Sequence, residues 1–319
     1  MTTGGSAGAV AGGGGAGAGG SAGIAGGGGA GNAGAGGGTA GKGGDGSAGS
    51  AGAAAGNAGT GGGSAGFSGA GQGGTGGETT DCPKGPGPAM VLIDVPGAAA
   101  YCIDSTEVTQ AQYAAFLTTK PDVAKQSREF CQKMNYAFEP PVFQEGLPGG
   151  CPEGTFAPDK NPDAAVTCVN WCDAIAYCEW AGKRLCGKIG GGPSAGLKYG
   201  LGNQRDFACS QGGKTKYAYG NDFKDGVCTS ADPGALGALT KPVGQGDCHG
   251  QAPPFSALDR LSGGVLEWLD ACEESAPNEC RLAGGATDSS TPAETACDHG
   301  GQAPATIDLP GAGFRCCAD

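Results

Sequence analysis

The chain has 319 residues, of which 70 are Gly and 16 are Cys, and its formal net charge at pH 7 is −12. An acidic chain without a basic stripe to neutralise phosphates is not expected to bind nucleic acid. No run of about 18 apolar residues occurs, so the sequence predicts no membrane-spanning segment.

Residues 1–81 differ sharply in composition from the rest of the chain. Almost half of them are Gly, and nearly all the others are Ala, Ser, Thr and Asn. Such a stretch buries little apolar surface, whereas ordering each residue costs about 1–2 kcal/mol of backbone entropy. The four consecutive glycines at 12–15 break the three-residue period that collagen needs. We therefore expect a disordered, low-complexity tether over residues 1–81 and one folded domain over residues 82–319.

All 16 cysteines lie in the predicted folded domain. Their even number and scattered spacing favour a disulfide framework, of at most eight bridges, over a zinc array. Only His249 and His299 occur in the whole chain, so a zinc site or a His-centred catalytic relay has few residues to draw on. The cysteine density predicts an extracytoplasmic location, which means secreted, periplasmic or cell-surface.

The first residues do not resemble an export signal. They read Met-Thr-Thr-Gly, with neither a basic n-region nor an apolar h-region after them. Because the cysteines nevertheless require an oxidising compartment, we expect Met1 to be internal to a longer gene product. A signal or lipoprotein segment, with its lipid anchor, would lie upstream.

The predicted elements begin with two short strands and a helix. The apolar run at residues 90–93 predicts a strand, and residues 101–103 predict a second one. Thr109 and Gln112 have the spacing of a capping box, which predicts a helix that runs to about Leu117. Three side chains on one face of this helix are expected in the core: Tyr113, Phe116 and Leu117.

Residues 121–162 are rich in Pro and Gly. This composition predicts an ordered loop, and we expect Cys131 and Cys151 to pin it.

The next predicted helix begins at Asn170, a favourable N-cap with Asp173 at the third helical position, and ends at Gly182. Its inward stripe is expected to consist of Ala174, Ile175, Cys178 and Ala181. Cys172 and Cys178 lie on different faces, so we expect them to connect the helix to separate loops instead of to each other.

Beyond Cys186 we expect little regular structure as far as Phe255. The glycines at 190–192 do not predict a phosphate-binding loop, because no Lys-Ser/Thr pair follows them at the required offset.

Several segments resemble, in order, the formylglycine-generating enzyme or sulfatase-modifying-factor family. Residues 103–109, Ile-Asp-Ser-Thr-Glu-Val-Thr, are similar to its entry motif, and residues 169–185, which end in Gly-Lys-Arg-Leu, to its most diagnostic stretch. Later landmarks are residues 219–221, 242–244, 266–268 and 313–315. The resemblance covers about residues 90–317. It implies an irregular, loop-rich, disulfide-rich α+β domain with a C-type-lectin-like fold.

The resemblance also implies where catalytic thiols would lie. Family enzymes oxidise a substrate cysteine with oxygen and copper, using two cysteines five positions apart after an Arg-Gly-Gly-Ser-Phe segment; copper(I) is a soft cation that paired thiolates hold well. The corresponding residues 283–287 read Ala-Gly-Gly-Ala-Thr, and no two cysteines in the chain are five positions apart. Cys297 follows without a neighbouring partner and is expected in a structural bridge, while Cys316 and Cys317 lie far away. We therefore assign no catalytic, cofactor-binding or metal-binding residues and expect no copper.

Calcium is left open. The family binds it near a Gly-Asn-x-Trp-Glu-Trp segment, and residues 263–268 here read Gly-Gly-Val-Leu-Glu-Trp. Glu267 and Trp268 match, but Gly264 removes the Asn oxygen, which weakens a site for a hard cation. The alternative for Glu267 is a buried hydrogen bond or ion pair.

The remaining acid–base candidates are interpreted as non-catalytic. The two histidines are expected to be solvated in loops, and two acidic pairs to be capping or surface residues, because adjacency in sequence does not show a shared cleft. These candidates are His249, His299, Asp104 with Glu107, and Glu273 with Glu274.

The sequence thus predicts a non-catalytic, extracytoplasmic binding or structural protein of the cell envelope, whose tail acts as a spacer. Its partner would be an envelope glycan or protein. Tyr217, Tyr219 and Trp268 are candidates for an exposed recognition surface, with core packing as the alternative. The alternative function is a copper-dependent formylglycine-generating oxidase with a rearranged thiol pair, acting on a cysteine of a sulfatase-like substrate.

Overall fold

A computed structural model describes residues 81–141, 151–228, 242–244, 246–273, 278–286, 289 and 291–319. Except for Asp81, the predicted tether lies outside the described residues, so the tether and the domain boundary stay predictions. Within the described ranges, no helix has both the length and the apolar character needed to cross a membrane.

The first sheet is antiparallel and contains both the first and the last strand of the described domain. Its strands are β1 (Met90–Ile93), β2 (Tyr101–Asp104), β3 (Arg184–Leu185) and β8 (Cys316–Ala318), in the order β1-β2-β8-β3. Both predicted strands are confirmed. β2 lies between β1 and β8, and all four of its residues are buried.

The second sheet contains the strands β4 (Leu266–Cys272), β5 (Glu279–Ala283), β6 (Gly300–Pro304) and β7 (Ala312–Gly313). Their order is β6-β5-β4-β7, with β4 and β7 parallel and the other pairs antiparallel. Only Phe314 and Arg315 separate β7 from β8. The chain therefore passes from the second sheet to the first within these two residues, which we call the crossing.

The described helices are α1 (Gln110–Thr118), α2 (Glu129–Met134), α3 (Trp171–Trp180) and α4 (Gln204–Cys209), with short 3-10 helices at Val123–Lys125 and Phe255–Ala257. The capping box of α1 is confirmed: Gln112 N donates to Thr109 Oγ1 at 3.3 Å, and Thr109 N donates to Gln112 Oε1 at 2.9 Å. Asn170 and Asp173 form the same reciprocal box at the start of α3.

The predicted inward faces of both helices are confirmed in the core, except that Leu117 is only partly buried. The ring of Tyr177 in α3 lies 5.8 Å from that of Tyr113, 5.7 Å from that of Phe116 and 5.3 Å from that of Phe314. Edge-to-face and offset contacts of this kind favour one arrangement of the rings. The aromatic cluster therefore packs α1, α3 and the crossing together.

Two helices lie where the sequence predicts loops. α2 falls within residues 121–162, and α4 within the stretch expected to be irregular. The first three residues of α4, Gln204, Arg205 and Asp206, are polar and buried. Since the prediction of a helix depends on apolar periodicity, a helix with a buried polar face gives no such signal.

All 16 cysteines belong to the described residues, and all are paired. The bridges are Cys82–Cys102, Cys131–Cys172, Cys151–Cys168, Cys178–Cys316, Cys186–Cys317, Cys209–Cys297, Cys228–Cys248 and Cys272–Cys280. Cys172 and Cys178 do not pair with each other, as predicted, but they connect α3 to α2 and β8 instead of to loops. Disulfides at this density indicate an oxidising, extracytoplasmic environment.

The bridges differ in the length of chain that they close, which predicts different contributions to stability. Cys209 and Cys297 are 88 positions apart, whereas Cys272 and Cys280 are 8 apart. The intact bridge Cys186–Cys317 shortens the loop that Cys209–Cys297 closes, but that loop is still several times longer than the one between Cys272 and Cys280. From the entropy of loop closure, we expect the double variant C209A/C297A to lose about 4 kcal/mol of unfolding free energy and C272A/C280A about 2.5 kcal/mol. Urea unfolding without reductant measures both, and equal losses would contradict this account.

Candidate functional site

The region that corresponds to the family's catalytic thiols contains a buried disulfide. Cys297 bridges Cys209 at the end of α4, as its predicted structural role requires. The hydroxyl of Ser262 lies 3.6 Å from the sulfur of Cys209 and 3.7 Å from that of Cys297. Copper(I) is held by thiolates, and no cysteine is free. The residues present therefore do not fit copper.

Arg315, in the crossing, is fully buried and binds Glu267 with two hydrogen bonds. Its Nε donates to Glu267 Oε2 at 2.9 Å, and its Nη2 donates to Oε1 at 2.8 Å. The same guanidinium donates to the carbonyl oxygens of Asp104, at 3.1 Å, and Asp259, at 2.9 Å. A bidentate pair fixes geometry as well as charge. Arg315 therefore connects β4 in the second sheet to β2 in the first.

Arg205, from α4, is a second cation on the same carboxylate. Its Nε lies 3.2 Å from Glu267 Oε2. Burial raises the pKa of Glu267, but the guanidinium groups of Arg315 and Arg205 outweigh that effect and hold it below its usual value. Glu267 is therefore ionised, in a buried ion pair of the kind that the sequence left as an alternative.

These contacts also test the calcium site. Calcium takes six to eight oxygen ligands, whereas both oxygens of Glu267 already accept hydrogen bonds from guanidinium groups. Two fixed positive charges repel a further cation, so the residues do not fit calcium. Among the described residues, no group of three or more His, Cys, Asp or Glu is placed to hold a metal ion.

Glu107 is buried beside this pair without a hydrogen-bond partner among the described residues for either oxygen. Its Oε2 lies 3.9 Å from Arg315 Nη2. At Gly264, an added Cβ would lie 2.5 Å from Glu107 Oε1, so the carboxylate occupies the space of a side chain there. Burial raises the pKa of Glu107 to about 7, with Arg315 opposing and Glu267 adding to the shift. Glu107 thus titrates near neutral pH.

The prediction that Asp104 and Glu107 are capping or surface residues is wrong, because both are fully buried. Asp104 pairs with Lys183 Nζ at 2.6 Å and accepts from Cys316 N at 2.9 Å. Burial raises the pKa of Asp104 to about 6, and the Lys183 ammonium opposes the shift. The partners lie far along the chain, so sequence adjacency gave no sign of them. Glu273 is exposed, as predicted, and Glu274 lies outside the described residues.

The three aromatic candidates do not form an exposed surface. Tyr217, Tyr219 and Trp268 are buried, which confirms the alternative of core packing. The rings of Tyr217 and Tyr219 stack at 5.3 Å, and the indole of Trp268 donates to Val169 O at 2.9 Å. His249 and His299, predicted to be solvated, are half-buried in loops.

A polar cleft of about 390 Å³ lies between residues 197–199 and the first three residues of β6. Arg281 also lines it, and its guanidinium is held by Asp206 through two hydrogen bonds of 2.7 and 3.0 Å. Because Arg281 is buried and paired on both sides of its fork, this wall of the cleft is rigid.

The sequence did not identify the buried cationic side chains, which are Lys183, Arg205 and Arg315. Lys183 and Arg315 stand inside recognised family segments, and that position was the signal that could have marked them. Arg205 stands in none of those segments, and only its buried contacts reveal its role.

The sulfatase-modifying factor enzyme 1-like domain model matches residues 93–319. Among solved structures, the chain is similar to PvdO from Pseudomonas aeruginosa, with 17% identity over 69% of this chain and 81% of that chain and a TM-score of 0.45. It is also similar to CarF (16% identity, 74% and 95%, TM-score 0.41) and to Treponema denticola variable protein 1 (17% identity, 73% and 92%, TM-score 0.39). No curated protein gave a significant match.

The raised pKa of Glu107 predicts a pH-dependent stability. As pH rises from about 4.5 to about 7, the unfolded chain ionises Glu107 while the folded chain keeps the proton, so the free energy of unfolding falls. We expect Glu107→Gln to remove the part of this fall that lies between pH 6 and 7. Urea unfolding across this pH range measures it. The exposed Glu273→Gln is the control, and an unchanged slope in Glu107→Gln would contradict the assignment.

Loss of the central carboxylate is expected to be much more costly. Glu267→Gln leaves the Arg205 and Arg315 guanidinium groups buried without a full counter-charge, which predicts a loss of about 3–5 kcal/mol in unfolding free energy. The exposed Glu153→Gln is expected to change little. Chemical unfolding at neutral pH compares the two variants, and similar stabilities would show that the buried pair is not needed.

Proposed function

The chain belongs to the sulfatase-modifying factor enzyme 1-like domain family, and we propose that it is a non-catalytic member that serves as an extracytoplasmic binding or structural protein of the cell envelope. Within this proposal, the Gly/Ala-rich residues 1–81 act as a spacer between the domain and an anchor. The partner is an envelope glycan or protein.

One observation supports the non-catalytic assignment above the others: every thiol is in a disulfide. Oxidation of a substrate cysteine with copper needs thiolates that can bind the metal. Cys297 follows the segment equivalent to Arg-Gly-Gly-Ser-Phe and is instead bridged to Cys209. It is buried, with 2% of its surface exposed.

The distribution of buried charge supports the same proposal. Glu267, in the family's calcium-binding segment, is neutralised by two arginines of the chain itself. The charge of Glu267 is thus satisfied within the chain, which is an arrangement for stability. Secretion, a periplasmic location or attachment to the cell surface by a lipid all agree with the disulfide content.

The proposal predicts that the full chain has no reactive thiol. Alkylation after denaturation without reductant is expected to label no cysteine, whereas the reduced control labels all 16. We further expect no stoichiometric copper(I) binding and no aldehyde in a Cys-x-Pro-x-Arg peptide incubated with protein, copper and oxygen, as read by mass spectrometry. Two labelled cysteines together with aldehyde formation would overturn the non-catalytic assignment.

A further inference from the structure

Among the described residues, no strand pairs with the outer side of β6, which is therefore an edge of the second sheet. Two hydrogen bonds show which residues of β6 and its flanks bond to β5 and its flanks. Gly284 N donates to His299 O at 3.1 Å, and Ala305 N donates to Asn278 O at 3.0 Å. Residues 299, 301, 303 and 305 therefore bond toward β5. In an antiparallel pair, the residues between them direct their N–H and C=O groups the opposite way. Gly300 and Gln302 thus present backbone donors and acceptors outward.

No other described segment bonds to the backbone groups of Gly300 or Gln302 on this outer side. Residues 300–302 are exposed. Natural edge strands are commonly protected by Lys, by a bulge or by Pro, and here Pro304 stands only at the end of the strand. Gly in a strand allows another backbone to approach closely, and a Cβ added at Gly301 would meet nothing within 4 Å.

The polar cleft is lined by the first three residues of β6, by Asp298 just before them and by Arg281 of β5. Its volume of about 390 Å³ falls at the small end of the range of about 300–1,000 Å³ typical of ligand sites. Residues 197–199 line its other side. An extended strand lies about 4.8 Å from the strand that it pairs with, so a single strand needs less room in the cleft than the folded edge of a second copy. The half-buried Leu197 and Tyr199 offer apolar contact to one side chain of such a segment.

We propose that this cleft binds an extended peptide segment of a partner protein, which adds a strand to the second sheet beside β6. Outward groups at Gly300 and Gln302 recur every second residue, which is the repeat of an extended strand. Backbone hydrogen bonds supply affinity in strand addition, and contacts to alternate side chains supply selectivity. The inference rests on the proposed function, since it specifies the ligand class of a binding protein.

The test compares two variants at one residue. Full-length protein is screened against a random peptide library, and the affinities of the selected synthetic peptides are measured by fluorescence anisotropy. Gln302→Pro removes the outward N–H and the Gln side chain but no N–H that bonds to β5, so the sheet is retained, and we expect about a tenfold loss of affinity. Gln302→Ala keeps that N–H and is expected to bind like the original chain. Equal melting temperatures establish that both variants are folded.

A second measurement does not depend on a variant. N-methylation of the bound peptide at successive amides is expected to weaken binding at every second position, because only alternate amides face β6. Binders that tolerate both Gln302→Pro and every N-methylation would overturn the proposal. So would the absence of any peptide that binds at millimolar concentration.

Two further outcomes assign the cleft to another occupant and equally overturn the proposal. One is dimerisation of the chain that Gln302→Pro abolishes; the other is a glycan on an array that binds at the cleft while peptides do not. These results are distinct from a failure of the proposed function. Aldehyde formation would refute the non-catalytic assignment whatever binds at β6, and failure of peptide binding would leave that assignment standing.

Discussion

The hydrogen-bonded ion pair between Arg315 and Glu267 is the interaction on which the arrangement of the two sheets depends. The chain changes sheet within two residues, and Arg315 lies at that point. Its guanidinium binds a carboxylate of β4 and a backbone carbonyl of β2 at the same time. Because a buried charge is stable only when it is paired and hydrogen-bonded, neither sheet can shift without breaking this network.

Two disulfides fix the chain immediately after the crossing. Cys316 is bridged to Cys178 in α3, and Cys317 to Cys186 next to β3. Disulfides therefore cross-link the chain next to the crossing, and the bridge Cys209–Cys297 lies in the region where the sequence resemblance implied catalytic thiols. Ion pairs and disulfide bonds together fix the arrangement of the interior.

Because the buried ion pairs and disulfides stabilise the fold, we expect a binding site on the surface. Glu107 and Asp104 have raised pKa values near neutrality, and both are fully buried, so their titration is expected to affect stability. The edge of β6 is different, because none of the described residues bonds to the outward backbone groups of Gly300 and Gln302, and both residues line a cleft of about 390 Å³. A cross-linked scaffold with an exposed sheet edge at β6 is suited to binding an extended segment.

The sequence by itself determined the family, the disulfide content, the first two strands and the two capped helices, because these depend on local patterns: motif order, cysteine count, apolar runs and capping boxes. Only the tertiary structure decided the rest. Glu107 and Glu267 lie at the same Arg315 guanidinium although 160 positions separate them, and α4 buries polar residues that no apolar period marks. Pairing between distant charges leaves no periodic trace along the chain, since each partner is chosen by its position in space. For the same reason, the sequence located neither the cleft nor the open edge of β6.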